Sequence, residues 1–251
     1  VSKLDREMKS VNPIVQDYSV VICSYNRLPY LQRTVQALKK TNHEFEVILS
    51  DDHSNDGTIE WAEKSNFFDN IYVKPNREEY CLCTIRNKGI KLATRKYIVL
   101  LDVDCAPEPH YFEGHDFTFT LRPKVISVGF THHYNEVGNV MVAQDPRWNR
   151  VKNKVLVRSS WGDAYGGNVA FPKELWKRIS GFDKTFNGAW GFEDLDFAIR
   201  AKKAGAQFFM HKWCVARHMK HPISKSAQKG ATGKNKNVEL FYRKHGVRFG
   251  G

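Results

Sequence analysis

The sequence predicts an α/β fold, a mainly parallel central sheet flanked by helices. Three observations point there. Short β-branched apolar runs alternate with amphipathic helical patterns over the first 105 residues. Polar clusters stand at the carboxyl end of those runs, and no internal repeat suggests another architecture. Strand-helix-strand alternation at this rhythm implies right-handed crossovers between parallel strands. Ligands of such sheets bind beyond the strand C-termini.

The elements follow in order. Tyr18-Ser19-Val20-Val21-Ile22-Cys23 reads as a buried strand. Leu28, Leu31, Val35 and Leu38 then share one helical face. Residues 45–49 form the next strand, which runs into the acidic turn Ser50-Asp51-Asp52-His53-Ser54-Asn55-Asp56-Gly57. A helix carrying Ile59, Trp61 and Ala62 follows. Residues 71–73 are a short third strand, 84–94 a helix, and 97–101 the fourth and most apolar strand. Past Asp104 the regularity breaks. Helices are expected over 109–121, 171–178 and 192–203 and a strand over 125–130, while 132–160 mixes polar and apolar residues without a clear period. Residues 224–237 are nearly free of bulky apolar side chains and read as a mobile loop, and 238–245 as a terminal helix.

Composition narrows the function classes. With 251 residues, 41% hydrophobic and 13% aromatic, the chain buries a sizeable core and is not disordered. Lys and Arg number 39 against 27 Asp and Glu, a net charge of +12. That excess invites an anionic partner: nucleic acid, a membrane surface or a phosphorylated ligand. No apolar run approaches the ~18 residues of a bilayer-spanning helix. The first residues carry no apolar signal core, and with no initiator Met a trimmed leader stays open. Five cysteines follow no disulfide-framework spacing, and Cys81 and Cys83 lack the second pair of a zinc site. With no Asn-x-Ser/Thr sequon, these features favour a reducing, cytoplasmic setting.

Four clusters carry chemistry. The first strand ends in Ser24-Tyr25-Asn26-Arg27, with no Gly-x-Gly-x-x-Gly, which argues against a dinucleotide site. Asp102-Val103-Asp104 closes the most buried strand. Its two carboxylates cap the loop or share a hard divalent ion with a diphosphate. Of Asp51 and Asp52, one suits an Asx-turn or helix cap, and the other can accept the N3 hydrogen of a uracil. Trp190-Gly191-Phe192-Glu193-Asp194-Leu195-Asp196 sets three carboxylates at a helix start, where one caps and another can serve as general base. His211, His218 and His221 read as ordinary satisfied or solvated histidines unless one reaches the fourth-strand carboxylates.

In this order the motifs resemble the family 2 glycosyltransferases of the GT-A fold, whose central sheet is Rossmann-like. Carrying residues are Ser19 to Arg27, Ser50 to Thr58, Arg86-Asn87-Lys88-Gly89-Ile90 and Leu101-Asp102-Val103-Asp104. The second half, with Gly166-Gly167-Asn168-Val169-Ala170-Phe171, Gly181-Phe182-Asp183 and Gly191-Phe192-Glu193-Asp194, is similar to the acceptor-side segment of galactosyl- and N-acetylgalactosaminyltransferases and chondroitin-type polymerases. The resemblance spans about 17–222 and implies a nucleotide-binding half (17–105) and an acceptor-side half (106–222). They lie between an N-terminal extension (1–16) and a flexible basic segment with a C-terminal helix (223–251).

The resemblance also implies roles. Asp52 would bind uracil, with Ser24, Tyr25, Asn26, Arg27 and Arg86 lining the nucleotide cleft. Asp102 would hold the ribose beside Val103, and Asp104 and His218 would ligate Mn²⁺ or Mg²⁺. Gly166, Gly167, Asn168 and Trp190 would line the donor-sugar and acceptor pocket. Asp194 would be the base of an inverting transfer and Glu193 would position the acceptor. Phe192 departs from the family, which usually has Gly there.

The implied reaction moves a hexose or N-acetylhexosamine from a UDP-sugar to a glycan hydroxyl, the glycan being anionic or lipid-linked. Hydroxymethylated DNA is an alternative acceptor, and nucleotidyl transfer an alternative reaction. A non-catalytic nucleic-acid module is disfavoured, because the basic residues are not interleaved with stacking aromatics. Residues 217–248 hold nine Lys and Arg against one acidic residue, Glu239. That basic run suits a loop closing over a diphosphate, with an anionic acceptor or peripheral membrane contact as further uses.

Overall fold

The computed structural model describes residues 12–77, 79–222 and 236–246. The first half runs β1 (Tyr18–Ser24), α1 (Leu28–Leu38), β2 (Phe45–Asp51), α2 (Thr58–Ser65), β3 (Asn70–Val73), α3 (Leu82–Leu92) and β4 (Tyr97–Asp102). The second half adds β5 (Cys105–Pro107), α4 (Tyr111–Leu121), β6 (Val125–Tyr134), β7 (Met141–Ala143), β8 (Leu156–Arg158), β9 (Asn168–Pro172), α5 (Lys173–Arg178), α6 (Glu193–Lys203), β10 (Gln207–Met219) and α7 (Lys236–His245). One 10-stranded sheet has the order β3-β2-β1-β4-β9-β6-β10-β5, with β7 beside β6 and β8 beside β10.

The expected parallel arrangement holds across β3-β2-β1-β4. Beyond β4 the sheet is mixed: β9 is antiparallel to both β4 and β6, whereas β6 and β10 run parallel. Strand β1 is buried throughout because both faces are covered. Val21 faces the layer of Ile48, Ile90, Leu100 and Phe197, while Val20 and Ile22 face Leu31, Leu49 and Tyr97. The register sets Ser24 opposite Asp51 and Cys23 opposite Asp102, so three polar clusters share one sheet edge. Helix α3 lies close enough on β1 that a Cβ at Gly89 would stand 2.5 Å from the Val21 side chain, which accounts for glycine in that motif.

Several sequence expectations change. Phe171 and Pro172 end strand β9, and the helix begins only at Lys173. A short apolar run after two glycines has no period that separates strand from helix; pairing with β4 decides it. The helix expected from 192 starts at Glu193, and the strand expected over 125–130 extends to Tyr134. The stretch without a clear period holds β7, a 3-10 turn over Pro146–Arg150 and β8. Strand β10 has no counterpart in the sequence reading. Its His211, Lys212, Arg217 and His218 break the apolar run, yet it pairs with β5, β6 and β8. His211 is fully buried and accepts the Trp213 N–H through Nδ1, a structural role.

The terminal helix α7 is docked on the domain rather than loose. Asn237 Nδ2 donates to the carbonyls of Phe186, Ala189 and Gly191, and Phe241 packs against Phe192 with ring centroids 5.4 Å apart. Of the mobile loop expected over 224–237, residues 224–235 lie outside the described residues, as do residues 1–11 of the extension, whereas Lys236 and Asn237 belong to α7. Among the described residues no helix is long and apolar enough to cross a membrane. All five cysteines are free and buried.

Candidate active site

The cleft is built at the C-terminal ends of β1, β2 and β4. Asp51 is the turn-former: its carboxylate accepts the Ser54 N–H at 2.6 Å and the Ser54 hydroxyl at 2.7 Å. Asn26 also serves the turn, at φ +49°, with its N–H on Ser54 Oγ and its Oδ1 accepting the Asn55 N–H. Ser24 is buried at the strand end. Asp52 takes no part in that turn. Its Oδ2 accepts Arg77 Nε at 3.0 Å, and its Oδ1 is buried with no hydrogen-bond partner among the described residues. Burial pushes the Asp52 carboxyl up against the pull of Arg77. The Arg77 guanidinium lies 3.6 Å from the centroid of the Tyr25 ring. A planar cation thus stacks on Tyr25 and donates to Asp52, the arrangement a pyrimidine base would need.

The acidic centre follows β4. Asp102 keeps its side chain 41% exposed, and its N–H donates to the Gly167 carbonyl at 3.0 Å. The Val103 side chain is buried and its carbonyl accepts the Thr34 hydroxyl at 2.8 Å, so neither group faces the cleft. Asp104 turns toward β10, whose register sets His218 opposite Cys105. Asp104 Oδ1 is 3.7 Å from His218 Nε2, and its Oδ2 is 2.9 Å from His221 Nε2. Burial alone would raise the Asp104 pKa, but the two histidines outweigh it and hold it below the usual carboxylate range. Arg27 reaches the same spot, with Nη2 3.3 Å from His221 Nδ1.

Asp104, Cys105 and His218 offer ligand atoms within 4.8 Å of one another. Burial holds the Cys105 thiol well above its ordinary pKa, and sulfur is a soft ligand, whereas Mn²⁺ and Mg²⁺ prefer oxygen and imidazole donors. One carboxylate and one imidazole remain, a donor set that fits Mn²⁺ and, through its oxygen, Mg²⁺.

A glycine pair organises the region between Asp102 and the start of α6. Gly166 N–H donates to Asp194 Oδ2 at 3.1 Å, and the Leu195 N–H reaches Asp194 Oδ1 at 2.8 Å. A Cβ on Gly166 would stand 2.7 Å from the Arg86 guanidinium, and one on Gly167 would stand 2.3 Å from Asp102 Oδ2. Only glycines allow that approach.

Three assigned residues turn out to lie beneath the cleft. Arg86 is buried, with Nη1 2.9 Å from Glu193 Oε1 and Nη2 3.6 Å from Asp102 Oδ1. It braces the site from below instead of lining the nucleotide cleft. Glu193 is correspondingly sequestered from any acceptor. Burial pushes its carboxyl up to about 7; Asp194 adds repulsion, and Arg86 pulls against both. Asn168 is buried within the sheet, accepting the Tyr111 hydroxyl at 2.6 Å and donating to the Phe130 carbonyl at 2.8 Å, so it holds strands rather than sugar. Trp190 is exposed on the loop that leads into α6.

A family model described as glycosyl transferase family 2 matches residues 19–179. The chain belongs to glycosyl transferase family 2. In this glycosyltransferase a second model, the N-terminal domain of galactosyltransferase, matches residues 147–222. The chain is 29% identical to a chondroitin synthase of Escherichia coli over 92% of its own length and 39% of the relative's. It is 25% identical to a hyaluronan synthase of Pasteurella multocida, over 90% of the chain and 27% of that protein. The chain therefore spans well under half of these relatives. Among solved structures, S. aureus TarS 1-349 in complex with UDP-GlcNAc superposes with TM-score 0.71 at 15% identity, over 91% of this chain and 66% of that one. GalNAc-T7 with UDP, GalNAc and Mn2+ superposes with TM-score 0.66 at 18% identity, over 96% and 53%. These two likenesses carry the GT-A fold.

Two residues at the cleft have no role assigned in the sequence analysis. Arg77 sits in a loop with no motif around it, and its stacking on Tyr25 and its bond to Asp52 reveal it. His221, an ordinary satisfied or solvated histidine by sequence unless it reaches the fourth-strand carboxylates, does reach them and makes the shorter contact to Asp104. Phe192, the family departure, adopts φ +70° beside Gly191 at φ +90°. Its ring packs on Phe241 of α7, which explains how a large side chain is tolerated at a glycine-favouring position.

Proposed function

We propose that the chain transfers a hexose or N-acetylhexosamine from a UDP-sugar to a hydroxyl of a glycan, with inversion and with a divalent cation bound. One observation carries this reading. The Gly166-Gly167 pair ties Asp194, through the Gly166 N–H, to Asp102, through the Gly167 carbonyl. A carboxylate suited to act as base is thereby fixed beside the acidic strand end.

In this reading the uracil stacks on Tyr25 and donates its N3–H to Asp52, whose Oδ1 has no other partner among the described residues, while Arg77 gives up the ring face. Asp102, the open carboxylate of the pair, takes the ribose hydroxyls. Asp104 and His218 would hold the cation, which supplies positive charge to the diphosphate oxygens as negative charge develops there. Asp194 accepts the proton of the acceptor hydroxyl. The acceptor oxygen forms its bond to C1 as the bond from C1 to the UDP oxygen breaks on the opposite face, and UDP leaves with the electron pair. Glu193 and Arg86 touch no substrate; they fix the start of α6, and with it Asp194.

Support for UDP-sugar use comes from the two superposed proteins, one in complex with UDP-GlcNAc and one with UDP, GalNAc and Mn2+. Incubating the chain with a panel of UDP-sugars and Mn²⁺ tests the reading, because slow transfer to water reports the donor without a known acceptor. UDP release from at least one donor is expected. Release of sugar 1-phosphate in place of UDP, or no cleavage of any donor, would contradict it.

A further inference from the structure

On the outer side of α3, a cavity of about 460 Å³ is bounded by Lys88, Lys91, Lys177 and Lys184 together with Trp176 and Asn87. It shares none of these residues with the cleft around Asp52 or the Asp104 centre. Lys88 and Lys91 stand three apart and so share one helical face, opposite the buried Arg86. All four lysines are exposed. Lys177 pairs with Glu174 at 2.6 Å. Among the described residues Lys88, Lys91 and Lys184 have no carboxylate within ion-pair distance.

Surface lysines are ordinarily interspersed with acids. Lys88, Lys91 and Lys184 around one concavity repel one another, and an anion lying among them relieves that repulsion. The volume falls in the ~300–1,000 Å³ range of sites for drug-sized ligands and is far larger than one phosphate requires. Trp176 adds an aromatic surface fixed in place, because its Nε1–H donates to Asn87 Oδ1 at 3.0 Å. Asn87 is held in turn, accepting the Phe182 N–H at 2.8 Å and donating to the Phe182 carbonyl at 2.7 Å. An immobile indole rimmed by ammonium groups suits a pyranose ring that offers an apolar face to the indole and acidic substituents to the lysines. Phe182, which holds Asn87, also packs its ring 5.2 Å from the guanidinium carbon of Arg86, the residue that pairs with Glu193 and Asp102.

We propose that this groove docks an anionic glycan chain, holding its acidic sugars while the chain end is presented at Asp194. The saccharide character of the ligand rests on the glycosyl-transfer reading; its charge and size rest on the groove alone. Isothermal titration at low salt would compare three probes: a glucuronate-bearing decasaccharide, its carboxyl-reduced neutral form and a short DNA duplex. The intact chain should bind the acidic decasaccharide, with affinity falling as salt rises, and neither of the other two comparably. The Lys88→Gln/Lys91→Gln/Lys184→Gln variant should bind it about tenfold more weakly while releasing UDP from the donor at the unaltered rate. Trp176→Leu should weaken the acidic decasaccharide severalfold at constant salt dependence. Equal affinity in the triple variant, or equal binding of the DNA duplex, would overturn the proposal. A chain that binds the decasaccharide through these lysines yet releases no UDP would refute the catalytic reading and leave the groove standing.

Discussion

Replacing Arg86 by Met tests whether the site is braced from beneath. The guanidinium is buried between Glu193, 2.9 Å away, and Asp102, 3.6 Å away. At an effective dielectric near 20, unit charges 4 Å apart attract by ~4 kcal/mol. Removing one partner of a buried pair, which strands the other charge, typically costs about 3–5 kcal/mol. For a domain of this size each kcal/mol lowers Tm by about 2–4 °C, so a loss of roughly 6–20 °C is expected at pH 8. The loss should shrink at lower pH. Glu193 titrates near 7 in the folded chain, above its ordinary value of 4.5. The folded state therefore favours its neutral form, and stability falls as pH rises through about 7. Without Arg86 the carboxyl titrates higher still, so at pH 6 it is neutral and little charge is stranded. The Arg86→Met/Glu193→Gln variant should recover more than half of the loss at pH 8. Urea denaturation of the three proteins at pH 6 and pH 8 measures this. A Met variant within about 1 kcal/mol of the parent at both pH values, or a double variant no more stable than the single, would refute the bracing role.

Asp52→Ala should raise the Kd for UDP by about 10–100-fold, the cost of a hydrogen bond to a charged group, with little effect on the Kd for free Mn²⁺; titration calorimetry checks it. The Asp183 carboxyl, raised by burial but lowered more by Lys244 and Thr185, lies at about 2. Its contribution is present above the ordinary value of 3.8 and lost as pH falls through about 2. Discounted for solvent screening, Asp183→Asn should loosen α7 by about 1 kcal/mol or less at pH 7 and by nothing near pH 2. Faster amide exchange over residues 236–245 in the variant would show it.

The parallel half of the fold was legible because β1, β2 and β4 are apolar runs bounded by polar turns, and period separates them from α1 and α3. The second half was harder to read for physical reasons. Strand β10 buries His211 and carries charges at its edge, so it lacks an apolar signature. Strand β9 is too short for period to distinguish it from the adjoining helix. At the site, the sequence singled out Asp52, Asp104, His218 and Asp194, and the fold gathers them at the strand ends. It could not tell a residue facing the cleft from one beneath it. Arg86, Glu193 and Asn168 stand in the same motifs as the cleft residues, yet their side chains point inward to one another or to the sheet. Arg77 was invisible because its importance comes from a contact with Tyr25 across the chain.

The central claim is that Asp194 removes the acceptor proton. The most direct measurement is the UDP-release rate of Asp194→Asn with Mn²⁺ and the preferred UDP-sugar, set against its affinity for UDP. The substitution keeps the side chain's size and its acceptor oxygen for the Gly166 N–H. It should cut turnover by about 10²–10⁴-fold and leave the Kd for UDP unchanged. Near-normal turnover by Asp194→Asn would contradict the account.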